Sequence, residues 1–242
     1  MVEILRVKGI SKRFGGIVAL KQVSFTVEQG SITGLIGPNG AGKTTLFNII
    51  NGYLKPDEGK VFFENEDITG LPPHTICRRG IGRTFQKNRV FNNLTVLDNV
   101  LIGALLRTSN VNEAKFRALE CLKIVGLYNK KDEVVKTLSI LDRKMVELAR
   151  ALSTKPKLLL LDEIAAGLTE AEVAWLLKLL KKINSELGIT LFIVEHVLKL
   201  VMNISDKVIV LDHGEKIAEG TPEEVASNKR VIEAYIGGER GA

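Results

Sequence analysis

Three features of the sequence predict an α/β fold with antiparallel β strands and an inserted helical subdomain. A glycine-rich loop near the start stands between a strand-like and a helix-like segment, the middle third turns helical, and the last third returns to alternating strands and helices. With 242 residues, 45% of them apolar, the chain is long enough for one large domain with a sizeable core.

In the first third, VSFTV before Glu28-Gln29-Gly30 and SITGLIG after it read as strands around a turn, and KVFFENEDI as a further strand with a polar turn. Between them GKTTLFNIINGYL has helical spacing, with Leu46, Ile49, Ile50 and Tyr53 on one side. The middle third predicts a helix from Asn112 with Phe116, Leu119, Leu122 and Val125 on one face, and another over LDRKMVELARAL with the same pattern in Leu141, Met145, Leu148 and Leu152. In the last third KLLLLDE and TLFIVEH have the length and continuous apolarity of buried strands. Thr169 and Glu172 have capping-box spacing ahead of a helix that turns Val173, Leu176, Leu177, Leu180 and Ile183 inward. KVIVLDHGEKIAEG reads as a hairpin around His213-Gly214. A single domain is expected, with its α/β core at 1–86 and 151–242 and the helical part at about 87–150.

The charge balance, 34 basic against 28 acidic residues, is interspersed and without like-charge blocks, which points to an anionic ligand rather than nucleic acid. Cys77 and Cys121 show no metal-ligand spacing and suit free thiols in a reducing compartment. The start, MVEILRVKGISKRF, lacks the uninterrupted apolar core of a signal peptide, and no apolar run is long enough to span a bilayer. Any membrane role is therefore expected to come through a partner.

The residues that carry chemistry begin with GPNGAGKTT: Gly37, Pro38, Asn39, Gly40, Ala41, Gly42, Lys43, Thr44 and Thr45. Its glycines let successive N–H groups curl around phosphate, Lys43 reaches the β and γ phosphates, and the Thr44 hydroxyl takes a Mg²⁺ position. Such a phosphate loop implies a nucleoside triphosphate and requires a carboxylate at the end of a buried strand. Asp162 meets that need, acting on Mg²⁺ through water, and Glu163 beside it is placed to polarise an attacking water. Gln86, ending an extended segment, is a candidate Mg²⁺ ligand and nucleotide sensor. His196, ending TLFIVEH, is a candidate γ-phosphate contact, whereas His74 and His213 receive no role.

In this order the motifs resemble those of the ATP-binding subunit of ATP-binding-cassette transporters over nearly the whole chain. The Walker A loop GPNGAGKTT, the Q-loop at Gln86, the Walker B strand LLLLDE and the switch histidine His196 carry the likeness, and Phe14 matches the aromatic that stacks on adenine. GIGRTFQ at 80–86, DEIAAGL at 162–168 and HGEKIAEGTPEEV are most similar to ATPase subunits of branched-chain amino-acid importers. Lipopolysaccharide-export ATPases resemble several of the same stretches.

The resemblance implies ATP and Mg²⁺ as ligands, integral membrane permease subunits as partners, a substrate-binding protein acting indirectly, and a peripheral position on the cytoplasmic face of the cell membrane. It also implies a head-to-tail pair of cassettes, each ATP lying between one Walker A loop and the other subunit's LSGGQ signature. Here the signature departs: Leu138 and Ser139 remain, but Ile140 and Leu141 replace the glycines and Asp142 the glutamine. Ile164 and Thr169 replace the family's proline and aspartate after Walker B. Ser139 keeps a hydroxyl for the partner's ATP, Asp142 places negative charge near an anion, and Leu141 is the larger expected impediment. A heterodimer whose other member supplies a complete signature would suit these changes. Competing expectations are a non-hydrolysing regulatory cassette, opposed by Glu163 and His196, and a soluble ATPase acting on DNA or ribosomes, opposed by the lack of a coiled-coil insertion, second cassette or basic tail.

Overall fold

The computed structural model describes residues 2–86, 89–195 and 198–238. Strands β1 (Glu3–Phe14) and β2 (Ile17–Glu28) pair as a long antiparallel hairpin, and β4 (Glu58–Phe63) with β5 (Glu66–Asp67) extends it in the order β2-β1-β4-β5. A second sheet has the order β10-β9-β3-β8-β7-β6. In it β3 (Ile32–Ile36), β6 (Ile81–Arg83), β7 (Leu158–Asp162), β8 (Thr190–Val194) and β9 (Lys207–Asp212) run parallel, while β10 (Glu215–Gly220) returns antiparallel on β9.

Every residue of β3, β7 and β8 is buried, as expected of central parallel strands covered on both faces. The two strands expected around Gly30 lie in different sheets, so this turn is a crossing point rather than a hairpin. β2 alternates buried and exposed positions because its sheet is covered on one face, whereas β3 must satisfy two.

Alternation along β7 divides the interior. Leu158 and Leu160 join a core between the sheets that includes Val7, Phe25, Phe192 and the inner face of helix α1 (Lys43–Ile50), with Phe47 and Phe192 ring centroids 5.0 Å apart. Leu159 and Leu161 join the opposite core, built with helices α3 (Val96–Ala104), α4 (Val111–Ile124), α5 (Ile140–Ser153), α6 (Glu170–Leu187) and α7 (Leu198–Ile204). Helix α2 (Pro73–Arg79) precedes β6, and α8 (Pro222–Ala226) and α9 (Lys229–Gly238) follow β10. Of the helices between β6 and β7, α5 runs on to Ser153, so residue 150 lies inside it.

Helix α4 starts one residue earlier than the spacing predicts, because the Asn110 side chain accepts from the N–H groups of Asn112 and Glu113. Its buried face is Ala114, Ala118, Cys121 and Leu122, while Phe116 is 68% exposed. Small alanines let α4 approach α3 and α5 closely, so the helix is rotated away from its largest apolar side chain. Tyr53 likewise lies beyond the end of α1 and is exposed. The capping box at Thr169 and Glu172 and the hairpin at His213-Gly214 form as expected. Both cysteines are free thiols, and burial pushes Cys121 up to about 11.

Gly34 holds β3 against α7: a Cβ there would lie 2.2 Å from Val201 Cγ1 and 2.9 Å from Ser205 Oγ. Gly34→Ala should therefore cost about 1–3 kcal/mol by overpacking, read as a lower urea midpoint with an unchanged slope. An unchanged midpoint would show that α7 yields without loss.

Candidate functional site

The phosphate loop leaves the carboxyl end of central strand β3 and enters α1, the place where parallel sheets bind ligands. Gly42 caps the helix with φ of +99°, and a Cβ there would lie 2.5 Å from the Ala19 carbonyl oxygen. Both conformation and space thus demand glycine. No side chain caps α1 and no acid stands in its first turn, so its N–H groups remain available to an anion. Lys43 is 5% exposed, and its ammonium donates to the Gly37 and Pro38 carbonyl oxygens at 2.7 and 2.9 Å. Burial pushes its pKa below the usual lysine range, against the opposing pull of Glu163 and Asp162.

Asp162 ends β7 at 2% exposure, and the next residue, Glu163, takes a φ of +50°. The two acids are buried at the same strand end, and each receives a donor from the end of β6 or the residues just after it. Arg83 Nη2 donates to Asp162 Oδ2 at 2.9 Å, and Gln86 Nε2 donates to Glu163 Oε2 at 2.7 Å. Thr44, Gln86 and Asp162 line one cleft of about 390 Å³ together with Asn48, Tyr53, Phe85 and Arg89. A hydroxyl, an amide oxygen and one carboxylate form the hard-oxygen set that suits Mg²⁺ shared with substrate phosphates. Among the described residues no cluster of three His, Cys, Asp or Glu could hold a metal ion.

Phe14, at the end of β1, is 46% exposed, with the Lys12 ammonium over its ring 5.6 Å from the centroid. His196 lies outside the described residues. Its neighbour Glu195 is 2% exposed and accepts from the Ala165 N–H at 2.7 Å, tying the end of β8 to the turn after Glu163.

Comparison with known proteins decides the family. Residues 20–166 match the ABC transporter family, and residues 215–240 match the branched-chain amino acid ATP-binding cassette transporter family. The high-affinity branched-chain amino acid transport ATP-binding protein BraF of Pseudomonas aeruginosa is 39% identical, the alignment covering 97% of this chain and 98% of BraF. LivG of Escherichia coli, described in the same words, is 37% identical over the same shares. The chain belongs to the ATP-binding-cassette transporter family. The crystal structure of the ADP conformation of MJ1267, an ATP-binding cassette of an ABC transporter, superposes with a TM-score of 0.89 at 38% identity, covering 98% of this chain and all of MJ1267. MJ0796, a cassette solved as a dimer bound to ADP and phosphate, gives 0.81 at 30% identity over 90% of this chain and 98% of its own. The cassette is an ATPase, and its hydrolysis powers a transporter.

The altered signature of this cassette has a definite geometry. Ser139 caps α5, its hydroxyl accepting from the Asp142 N–H at 3.1 Å. Asp142 is paired with Lys130 at 2.6 Å, so its negative charge is met within the chain. Leu141, the residue expected to impede most, packs against the helical core, while Ile140 is 61% exposed at the helix start. Of the two residues that replace glycine, Ile140 is the one turned outward. Thr169 fills the place of the family's aspartate as the cap of α6, and Ile164 is buried.

Sequence reasoning missed the charged groups that hold the site. Arg83 is one. Lys144, Glu147 and Arg150 are others: spaced by three along α5, they turn inward beneath the site. Lys144 Nζ donates to the Glu163 carbonyl at 3.2 Å, Glu147 accepts from the Arg89 N–H at 3.3 Å, and Arg150 donates to the Arg89 carbonyl at 2.6 Å. The available signal was that three-residue charge spacing inside an otherwise apolar face. At the loop's other flank, α9 brings Tyr235 to the backbone of Gly37, and burial pushes that phenol up to about 12. Arg230 and Glu233 of α9, with His213 and residues 38–41 of the loop, line a cleft of about 970 Å³.

Burial raises the pKa of Glu147 above its ordinary 4.5, against the N–H of Arg89 and the charges of Arg150 and Lys144. The folded state thus holds this proton more tightly than the unfolded state. The contribution is fully present below about pH 4.5 and is lost as pH rises through the folded pKa. Glu147→Gln keeps an acceptor but cannot ionise. As pH rises from 4.5, the wild-type urea midpoint should therefore fall relative to that of the variant, and parallel profiles would show that Glu147 does not contribute.

Proposed function

We propose that this cassette energises a branched-chain amino-acid importer, working as a peripheral subunit on the cytoplasmic face of the cell membrane. Similarity to BraF and LivG along nearly the whole chain supports the substrate class, as does the match over residues 215–240. Among the described residues no helix is long and apolar enough to cross a membrane, which is consistent with docking on permease subunits.

The observation that carries the catalytic reading is the convergence of Thr44, Gln86 and Asp162 on one cleft, with Gln86 bonded to Glu163. In this reading residues 37–45 cradle the phosphates, Lys43 exchanges the loop carbonyls for the β and γ phosphates, and Phe14 stacks on adenine. Thr44, Gln86 and Asp162 hold Mg²⁺, which neutralises phosphate charge when bound. Glu163 polarises the attacking water and His196 contacts the γ phosphate. The α/β core is assigned to residues 1–86 and 151–242 and the helical subdomain to about 87–150, a boundary that falls inside α5.

Two such chains, or this chain and a related cassette, close around ATP, with Ser139 and the N–H groups behind it facing the other subunit's γ phosphate. Lys130 removes the charge objection to Asp142, which leaves Ile140 as the residue that obstructs close approach. Hydrolysis then reopens the pair and moves the permease.

Glu163→Gln should lower steady-state hydrolysis by about 10²–10⁴-fold while preserving ATP binding. In Mg-ATP it should accumulate as a dimer by light scattering, more completely when combined with Ile140→Gly. Undiminished hydrolysis would remove Glu163 from its role, and a dimer insensitive to Ile140→Gly would remove the obstruction. Deleting the gene should abolish uptake of labelled leucine, isoleucine and valine, and unchanged uptake would refute the substrate class.

A further inference from the structure

We propose that Arg83 is a positioning residue that aims the Asp162 carboxylate at the metal, an inference that rests on the Mg²⁺ site assigned above. Arg83 ends β6 beside β7, and its side chain is only 4% exposed. Its fork grips two elements of the nucleotide site at once. Nη1 donates to Asn48 Oδ1 on α1 at 2.8 Å, and Nη2 donates to Asp162 Oδ2 at 2.9 Å. The guanidinium carbon also lies 4.9 Å from the Phe85 ring centroid, 5.8 Å from that of Phe47 and 5.9 Å from that of Tyr53.

A planar fork held by three aromatic rings and an amide oxygen has almost no freedom to follow a moving carboxylate. Its bond to Oδ2 therefore fixes how Asp162 is turned. Lysine would retain the charge but not the two-pronged geometry, so it could not hold Asn48 and Asp162 together. The same strand continuation places Gln86 on Glu163, so one short segment sets the direction of both acids.

An opposite effect is possible on charge alone: a buried cation beside a metal site repels Mg²⁺. The two effects predict opposite signs, and substitution separates them.

The test uses the full chain and a fluorescent ATP analogue, titrated in EDTA and then with Mg²⁺ at fixed nucleotide, alongside thermal unfolding. Arg83→Lys should weaken Mg²⁺ affinity in the nucleotide complex by about 10–100-fold, the usual effect of losing a residue that orients a metal ligand, and leave nucleotide affinity in EDTA unchanged. Asn48→Ala, which keeps the Arg83–Asp162 pair, should shift Mg²⁺ affinity in the same direction by less. It carries the test should Arg83→Lys not fold. Lower thermal stability with wild-type Mg²⁺ affinity in both variants would make Arg83 merely structural and overturn the proposal. Tighter Mg²⁺ binding by Arg83→Met would overturn it in favour of charge repulsion. If Asp162→Ala binds Mg²⁺ as the wild type does, the metal-site reading itself falls, and the role of Arg83 with it.

Discussion

The candidate site depends on the parallel register of three strands. Leu35 of β3 and Asp162 of β7 both stand level with Val194 of the strand between them. Two strand spacings separate them, about 10 Å across the sheet. The phosphate loop and the acid pair consequently leave the sheet at the same edge, far enough apart for a triphosphate and its metal. A one-residue slip in either ladder would send Asp162 to the other face. Complete burial of β3, β7 and β8, with different cores on their two sides, opposes that slip.

Within this frame the charges are already engaged by the chain itself. Lys43 rests on loop carbonyls, Arg83 on Asp162, and Gln86 on Glu163, while Lys144 lies behind the acid turn. Buried charges left without partners would be far more costly than these arrangements. ATP therefore meets free backbone N–H groups at the start of α1 but side-chain charges that must exchange partners. The groups differ in how readily they exchange: Lys43 sits on a long flexible stem over two carbonyls, whereas Arg83 is wedged among rings.

Much of this was legible in the sequence because it is local. The strand, glycine loop and helix around residues 37–45 follow from spacing and conformational freedom, as do the apolar run ending in Asp162 and the box at Thr169. What escaped is long-range. Gly30 reads as a turn between strands, and only sheet membership reveals a crossing between layers. Phe116 reads as part of the apolar face of α4, and only the packing of the helix selects its alanine face instead. Arg83 and Lys144 look like ordinary surface charges, since their partners are 79 and 19 residues away. At the signature the substitution pattern was visible, but not that Lys130 answers Asp142 or that Leu141 turns inward.

Helix α5 joins two places that sequence alone keeps apart. Ser139 stands at its exposed start, and Lys144, about 7.5 Å along the axis, holds the carbonyl of Glu163. A helix is stiff over so short a span, so the two places keep a fixed spacing. From the acid turn the contacts continue through the Ala165 N–H and the Glu195 carboxylate to the end of β8. The altered signature and the acid turn are thus neighbours through one helix, although 24 residues of chain separate Ser139 from Glu163.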